Sequence, residues 1–364
     1  DPEQLVAVRG GLLFTSNGRL LHTDGTAAGT VAIAPGLSDI DLGDRAVSGG
    51  FLYFSARSTG IGHELWRSDG TVSGTTLVAD LAAGSASSRP TDLFVSGGRV
   101  FFSADTGAGQ EPYVFDGSSA RSLGDLNPGS ANSGANQWAD LTGGRVVFPA
   151  YVTALGRELY VTDGTAIGTR LVREFVGGSG SSQIRDVTSL GNGAVLFGAL
   201  DPALGNELCI SRGTAASTRA LGDFAPGRST FGSSAKWNPE QRADGGALFL
   251  SANDSIRGEE LWAVTSAGAR LVADILPGPR GSRPDGFASF FDGQRTLTAF
   301  AATGTAGGRE PWVTDGTAQG TRRLADLAPG SVSSSPWMFF GAGDRAYFAA
   351  ARNGNSVRLY VTNG

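Results

Sequence analysis

The chain is poor in the residues that much protein chemistry depends on. Its 364 residues include one cysteine (Cys209), one methionine (Met338), one lysine (Lys236) and two histidines (His22 and His63). A lone cysteine excludes an internal disulfide framework, although it does not exclude secretion. With lysine nearly absent there is no Gly-Lys-Ser/Thr phosphate loop. Charged residues make up 17%, the net charge is −5 and the pI is about 5.2. No basic stripe exists, so nucleic acid is not an expected partner. No apolar run approaches the ~20 residues needed to span a bilayer. The two histidines lack the spacing of a metal pair, and the acidic stretch Ser38–Asp44 lacks that of a calcium loop. No metal and no cofactor is expected. Cys209 has no histidine near it in the repeat frame and reads as a buried thiol.

What the chain has is glycine, 56 residues of it, and a repeat. The anchor Glu-Leu-(Trp/Tyr)-x-x-Asp-Gly, or a close variant, begins at Glu64, Glu111, Glu158, Glu207, Glu260 and Glu310. Degenerate copies begin at Arg19 and Arg358, and neighbouring copies lie 45 to 53 residues apart. Each unit contains four short apolar segments. A Gly-Gly or similar turn joins the first two, and an Asp-Gly-Thr turn joins the last two. No run with apolar residues at i, i+3 and i+4 competes for a helical repeat. Short strands at a period of roughly 40–50 residues predict an all-β β-propeller. The second strand recurs eight times, from Leu12–Ser16 to Ala346–Ala350, and predicts eight four-stranded blades, the eighth ending after its third strand. Seven blades is the alternative. No linker or composition break divides residues 1–364, which read as a single propeller domain.

The pattern ELWxxDGTxxGTxLVxDLxPG, closest in the copies at Glu64, Glu158 and Glu310, resembles the bacterial ELWxxDGT repeat proteins. The resemblance covers essentially the whole chain and implies a propeller exported to the cell surface or beyond. It implies no activity. The chain begins at Asp1 without an initiator methionine, which suggests a processed or trimmed N-terminus. The match weakens at Cys209 and Arg212 in the fifth copy and at Thr265-Ser266 in the sixth. The aromatic of the anchor is expected to pack between blades, and the repeated glutamate to cap a turn or pair locally. Repetition in every blade points to fold, whereas a site breaks the symmetry.

Strand alternation sorts the loops onto two faces. Gly-Gly and Asp-Gly-Thr turns share one, and the divergent second-to-third loops share the other with the blade crossings. Function concentrates on variable loops held by a rigid frame, so a site is expected on the second face. Three tryptophans stand outside the repeat position: Trp138, Trp237 and Trp337. They could stack on a ligand there or pack beneath the crossings. Trp237 lies in the longest crossing, 225–244, beside Lys236, and an aromatic next to a cation suits an acidic sugar or carboxylate.

The primary functional expectation is a non-catalytic binding or adhesion propeller, recognising a glycan or protein through the variable-loop face. The proposed contacts are Trp237, Trp138, Trp337 and Lys236, with no catalytic residue. One alternative is a secreted glycoside hydrolase or lyase with carboxylates at the channel mouth, about 5 or 6.5–9.5 Å apart. The other is a structural or assembly module. The oligomeric state is not legible from the sequence.

Overall fold

The computed structural model describes residues 2–223, 247–254, 256–352 and 356–364. Its regular structure is antiparallel β, apart from one short 3-10 turn at Ala215–Ser217. The strands form eight sheets, one per repeat, each with its strands in chain order. These are the eight blades of a β-propeller, and the seven-blade alternative falls away. Six blades have four strands. Among the described residues blades six and eight have three each: Leu248–Asn253, Glu259–Thr265 and Gly268–Ala273, then Trp337–Ala342, Arg345–Arg352 and Ser356–Thr362. Blade eight therefore ends after its third strand, as its sequence predicts. By packing, the chain divides into two compact units, Asp1–Val187 with Gly213–Ala215, and Thr188–Arg212 with Ala216–Gly364.

The repeat motif follows from local bonding. In blade two, Asp69 Oδ1 accepts from the Thr71 amide at 2.9 Å and from the Thr71 hydroxyl at 2.7 Å. The Thr71 hydroxyl oxygen then accepts from the Gly74 amide at 2.9 Å. The Thr75 hydroxyl donates to the Thr71 carbonyl at 2.7 Å. Gly70, at φ 93°, takes the left-handed position that closes the turn. Asp-Gly-Thr-x-x-Gly-Thr is thus one closed hydrogen-bonded knot, and Asp24, Asp163 and Asp315 begin the same one. The Thr71 bonds also hold the Asp69 carboxyl below the ordinary aspartate range.

Second strands are buried on both faces, which explains why they read as continuous apolar runs rather than alternating ones. A phenylalanine on the second strand sits directly across from the anchor aromatic. The pairs are Phe54 with Trp66, Phe102 with Tyr113, Phe148 with Tyr160 and Phe300 with Trp312. In blade five Phe197 lies across from Cys209, which is fully buried. Consecutive blades within each unit join through these faces. Phe101 and Val114 of blade three pack with Phe148 and Tyr160 of blade four, and Phe249 and Leu261 of blade six with Phe287 and Phe300 of blade seven.

Candidate functional site

The repeated glutamates organise the variable-loop face. Glu64, Glu111, Glu158, Glu260 and Glu310 are each buried on the third strand and reach the crossing that leaves their blade, 15 to 24 residues along the chain. Glu64 accepts from the Leu81 amide at 3.0 Å, the Ser88 amide at 2.8 Å and the Ser88 hydroxyl at 2.5 Å. Glu111 holds the Leu126 and Ser133 amides. Glu158 holds the Phe175 amide and the Ser182 hydroxyl. Glu310 holds Leu327 and Ser334. The expectation of a local turn cap is thereby corrected, because these carboxylates clamp crossings rather than their own turns. Burial pushes Glu111 and Glu260 above the usual carboxylate range and Glu158 up to about 7, against the pull of the donors around them.

The clamped serine also joins the next blade. Its carbonyl accepts a backbone amide from the end of that blade's second strand: Asp105 to Ser88, Tyr151 to Ser133, Thr303 to Ser282 and Ala351 to Ser334, at 2.7–2.8 Å. Crossings and second-to-third loops are thus stitched side by side, as strand alternation predicts.

The crossing that leaves blade six differs from the one that leaves blade seven. Blade seven leaves through Ala328-Pro-Gly-Ser-Val-Ser-Ser-Ser-Pro336, whereas blade six leaves through Leu276-Pro-Gly-Pro-Arg-Gly-Ser-Arg-Pro284. In register, Arg280 stands where the other has Val332, and Arg283 where it has Ser335. Glu260 pins this crossing through the Ile275, Leu276 and Ser282 amides at 2.8, 3.1 and 2.8 Å and the Ser282 hydroxyl at 2.6 Å. The crossing and the loop after Thr303 enclose an open groove of about 680 Å³, lined by Arg280, Arg283, Thr303 and Thr305 among others. Its backbone is fixed from several sides. The Arg283 amide donates to the Glu259 carbonyl at 2.9 Å, and the Arg283 carbonyl accepts from Arg309 Nη1 at 2.7 Å. Arg309 is in turn paired with Asp285 at 2.5 Å.

The residues singled out from sequence are placed as follows. Trp138 is 6% exposed, with ring centroids 5.8 Å from Phe101 and 4.4 Å from Phe148. It seals the seam between blades three and four, and its assignment to an open ligand face is corrected by that burial. Trp337 is 40% exposed at the start of the first strand of blade eight. Trp237 and Lys236 lie outside the described residues. His63 Nδ1 lies 2.9 Å from Ser55 Oγ, and its Nε2 lies 3.0 Å from the Asp39 carbonyl. Ser55 is 2% exposed within its sheet, so a substrate carbonyl has no approach to that hydroxyl, and the pair pins strands. No cluster of three or more metal-ligating side chains occurs among the described residues. No described helix is long and apolar enough to cross a membrane. Sequence reasoning missed Arg280 and Arg283. The signal was present as Arg280, which breaks the repeat, whereas Arg283 has a counterpart in Arg89 of the blade-two crossing.

No protein-family model matches the chain, and neither does any curated protein. Solved structures of similar fold include a puromycin hydrolase, 17% identical with a TM-score of 0.40, covering 88% of this chain and 51% of that one. A prolyl endopeptidase is 12% identical with a TM-score of 0.42, covering 87% and 49%. Oligopeptidase B from Leishmania major is 11% identical with a TM-score of 0.44, covering 91% and 49%. The chain spans about half the length of these proteins. They are named as a hydrolase and as peptidases, and this corrects the expectation of a non-catalytic adhesion propeller for a glycan or protein. At these identities the likeness speaks to the fold and assigns no activity to this chain.

Proposed function

We propose that this chain is the propeller module of a hydrolytic protein, exported and of the ELWxxDGT-repeat kind, in which it frames the approach to a reaction centre. The observation that carries this reading is the buried glutamate clamp. In both units a carboxylate is committed to holding the crossing that leaves its blade, so the loops beside it stand on a fixed base. A frame whose supporting shell is locked can hold loops at constant spacing while a substrate passes or docks. The reaction class takes up the activity of the solved proteins of similar fold. Export and membership of the repeat group rest on the motif and its eight copies.

The test uses the protein as encoded in full, incubated with a mixture of unblocked peptides and read by mass spectrometry. Cleavage is expected, and it should fall when Glu260→Ala loosens its crossing while the bulk fold is kept. A correctly folded protein that cleaves no peptide would overturn the hydrolytic part. Cleavage indifferent to Glu260→Ala would overturn the framing role.

A further inference from the structure

The crossing of blade six departs from that of blade seven in what it presents outward. The residues that clamp it are those used elsewhere: Glu260, Ser282 and the amides at 275 and 276. What differs is what the clamped loop carries outward. Blade seven presents Ser331, Val332 and Ser335 at the positions where blade six presents Pro279, Arg280 and Arg283. Both loops meet the fold's requirements, so these do not account for Arg280. Arg283 has a counterpart in Arg89 of the blade-two crossing, and it is the two cations together that set this crossing apart from those of blades two and seven.

Both arginines line the 680 Å³ groove, and no carboxylate lines it with them. Neither makes an ion pair among the described residues. Four of the acids nearby are already engaged, and a fifth, Glu259, does not line the groove. Asp285 pairs with Arg309, Asp254 and Asp274 both face Arg257, and Glu260 is buried under its four donors. The groove therefore has an uncompensated positive lining. Thr303 and Thr305 add two hydroxyls on the opposite loop, and Thr303 is tied to the crossing through the Ser282 carbonyl. Pro277 and Pro279 flank the cations and restrict the backbone that bears Arg280. A cleft of this volume suits a small molecule, and planar guanidinium forks beside hydroxyl donors suit an oxyanion.

We infer that this groove binds a small oxyanionic ligand, carrying a carboxylate or a phosphate, through Arg280 and Arg283. The inference does not depend on the hydrolytic reading, because it is tested by binding without turnover.

Titration calorimetry of the full protein with succinate, with inorganic phosphate and with neutral succinamide decides it. At least one anion should saturate, and the tighter of the two identifies whether the acid group is carboxylate or phosphate. Arg280→Ala and Arg283→Ala should each weaken that binding about tenfold or more, the loss expected for a hydrogen bond to a charged group. Arg280→Lys should recover part of it. Raising NaCl from about 50 to about 500 mM should weaken it further through screening. Thermal melting unchanged from the parent confirms that each variant is folded. Saturation by neither anion, equal binding of succinamide, or anion binding unaffected in both alanine variants would each overturn the inference.

Discussion

Glu260→Ala puts the clamp to the sharpest test. The carboxylate accepts from three amides and one hydroxyl, and Glu260 and Ser282 are fully buried. Removing it orphans all four donors. The Ser282 hydroxyl can rotate and the half-buried Leu276 amide can reach water, which leaves the Ile275 and Ser282 amides without partners. At about 1–3 kcal/mol for each unsatisfied buried group, the loss is on the order of 2–6 kcal/mol, partly offset by no longer burying a carboxylate. A net cost of about 2–4 kcal/mol is expected. Glu260→Gln keeps the shape and one acceptor and should cost roughly half as much. Because the chain has two units, a single global unfolding energy is a blunt readout. Amide hydrogen exchange over residues 274–284, alongside urea denaturation, reads the effect where it arises. Exchange in that segment should rise in the alanine variant and less in the glutamine variant. Unchanged exchange together with a loss below about 1 kcal/mol, the size of a surface change, would refute the clamp.

Three further outcomes are expected. Trp138→Ala should cost about 3–5 kcal/mol in denaturation, as emptying a core aromatic site does, and a near-neutral result would show that the ring does not seal the seam. Trp312→Ala should cost less, about 2 kcal/mol, because Trp312 is half-buried although its Nε1 donates to the Ala302 carbonyl at 3.1 Å. Glu158 has a folded pKa of about 7, raised from 4.5, so the folded state holds the extra proton between those values. Its contribution to stability is full below about pH 4.5 and is lost as pH rises through about 7, with Glu111 and Glu260 acting in the same direction. The urea midpoint should therefore fall between pH 5 and pH 8, and Glu158→Gln should flatten that fall; an identical slope in the variant would contradict the assignment.

How far the sequence could be read follows the range of the interactions. The Asp-Gly-Thr turn was legible because its bonds close within a few residues, from Asp69 to Thr75. Blade number was legible because each second strand is one apolar run. The glutamate was visible as a repeated residue, but its role was not, since its partners lie 15 to 24 residues away. The pairing of Phe148 with Tyr160 likewise exists only once the strands are in register. Trp138 was misplaced for a related reason. A tryptophan just before a first strand can face the loop side or the seam, and only the packing of Phe101 and Phe148 decides between them.

The same contrast separates frame from site. Ser282 and Ser334 are interchangeable: each takes a buried glutamate on one side and offers its carbonyl to the next blade on the other. A residue bonded in both directions cannot vary without loosening two blades, so it carries the fold and nothing specific to one position. Arg280 and Arg283 lie on the same clamped loop, and their side chains take no part in the clamp. They are free to differ from Val332 and Ser335 at no cost to the joint, and they do differ. In a repeat array built on such joints, a functional position is one that projects from a clamped crossing without belonging to the clamp. By that criterion the blade-six groove is the place to look for a ligand, while the glutamates that recur most often belong to the frame.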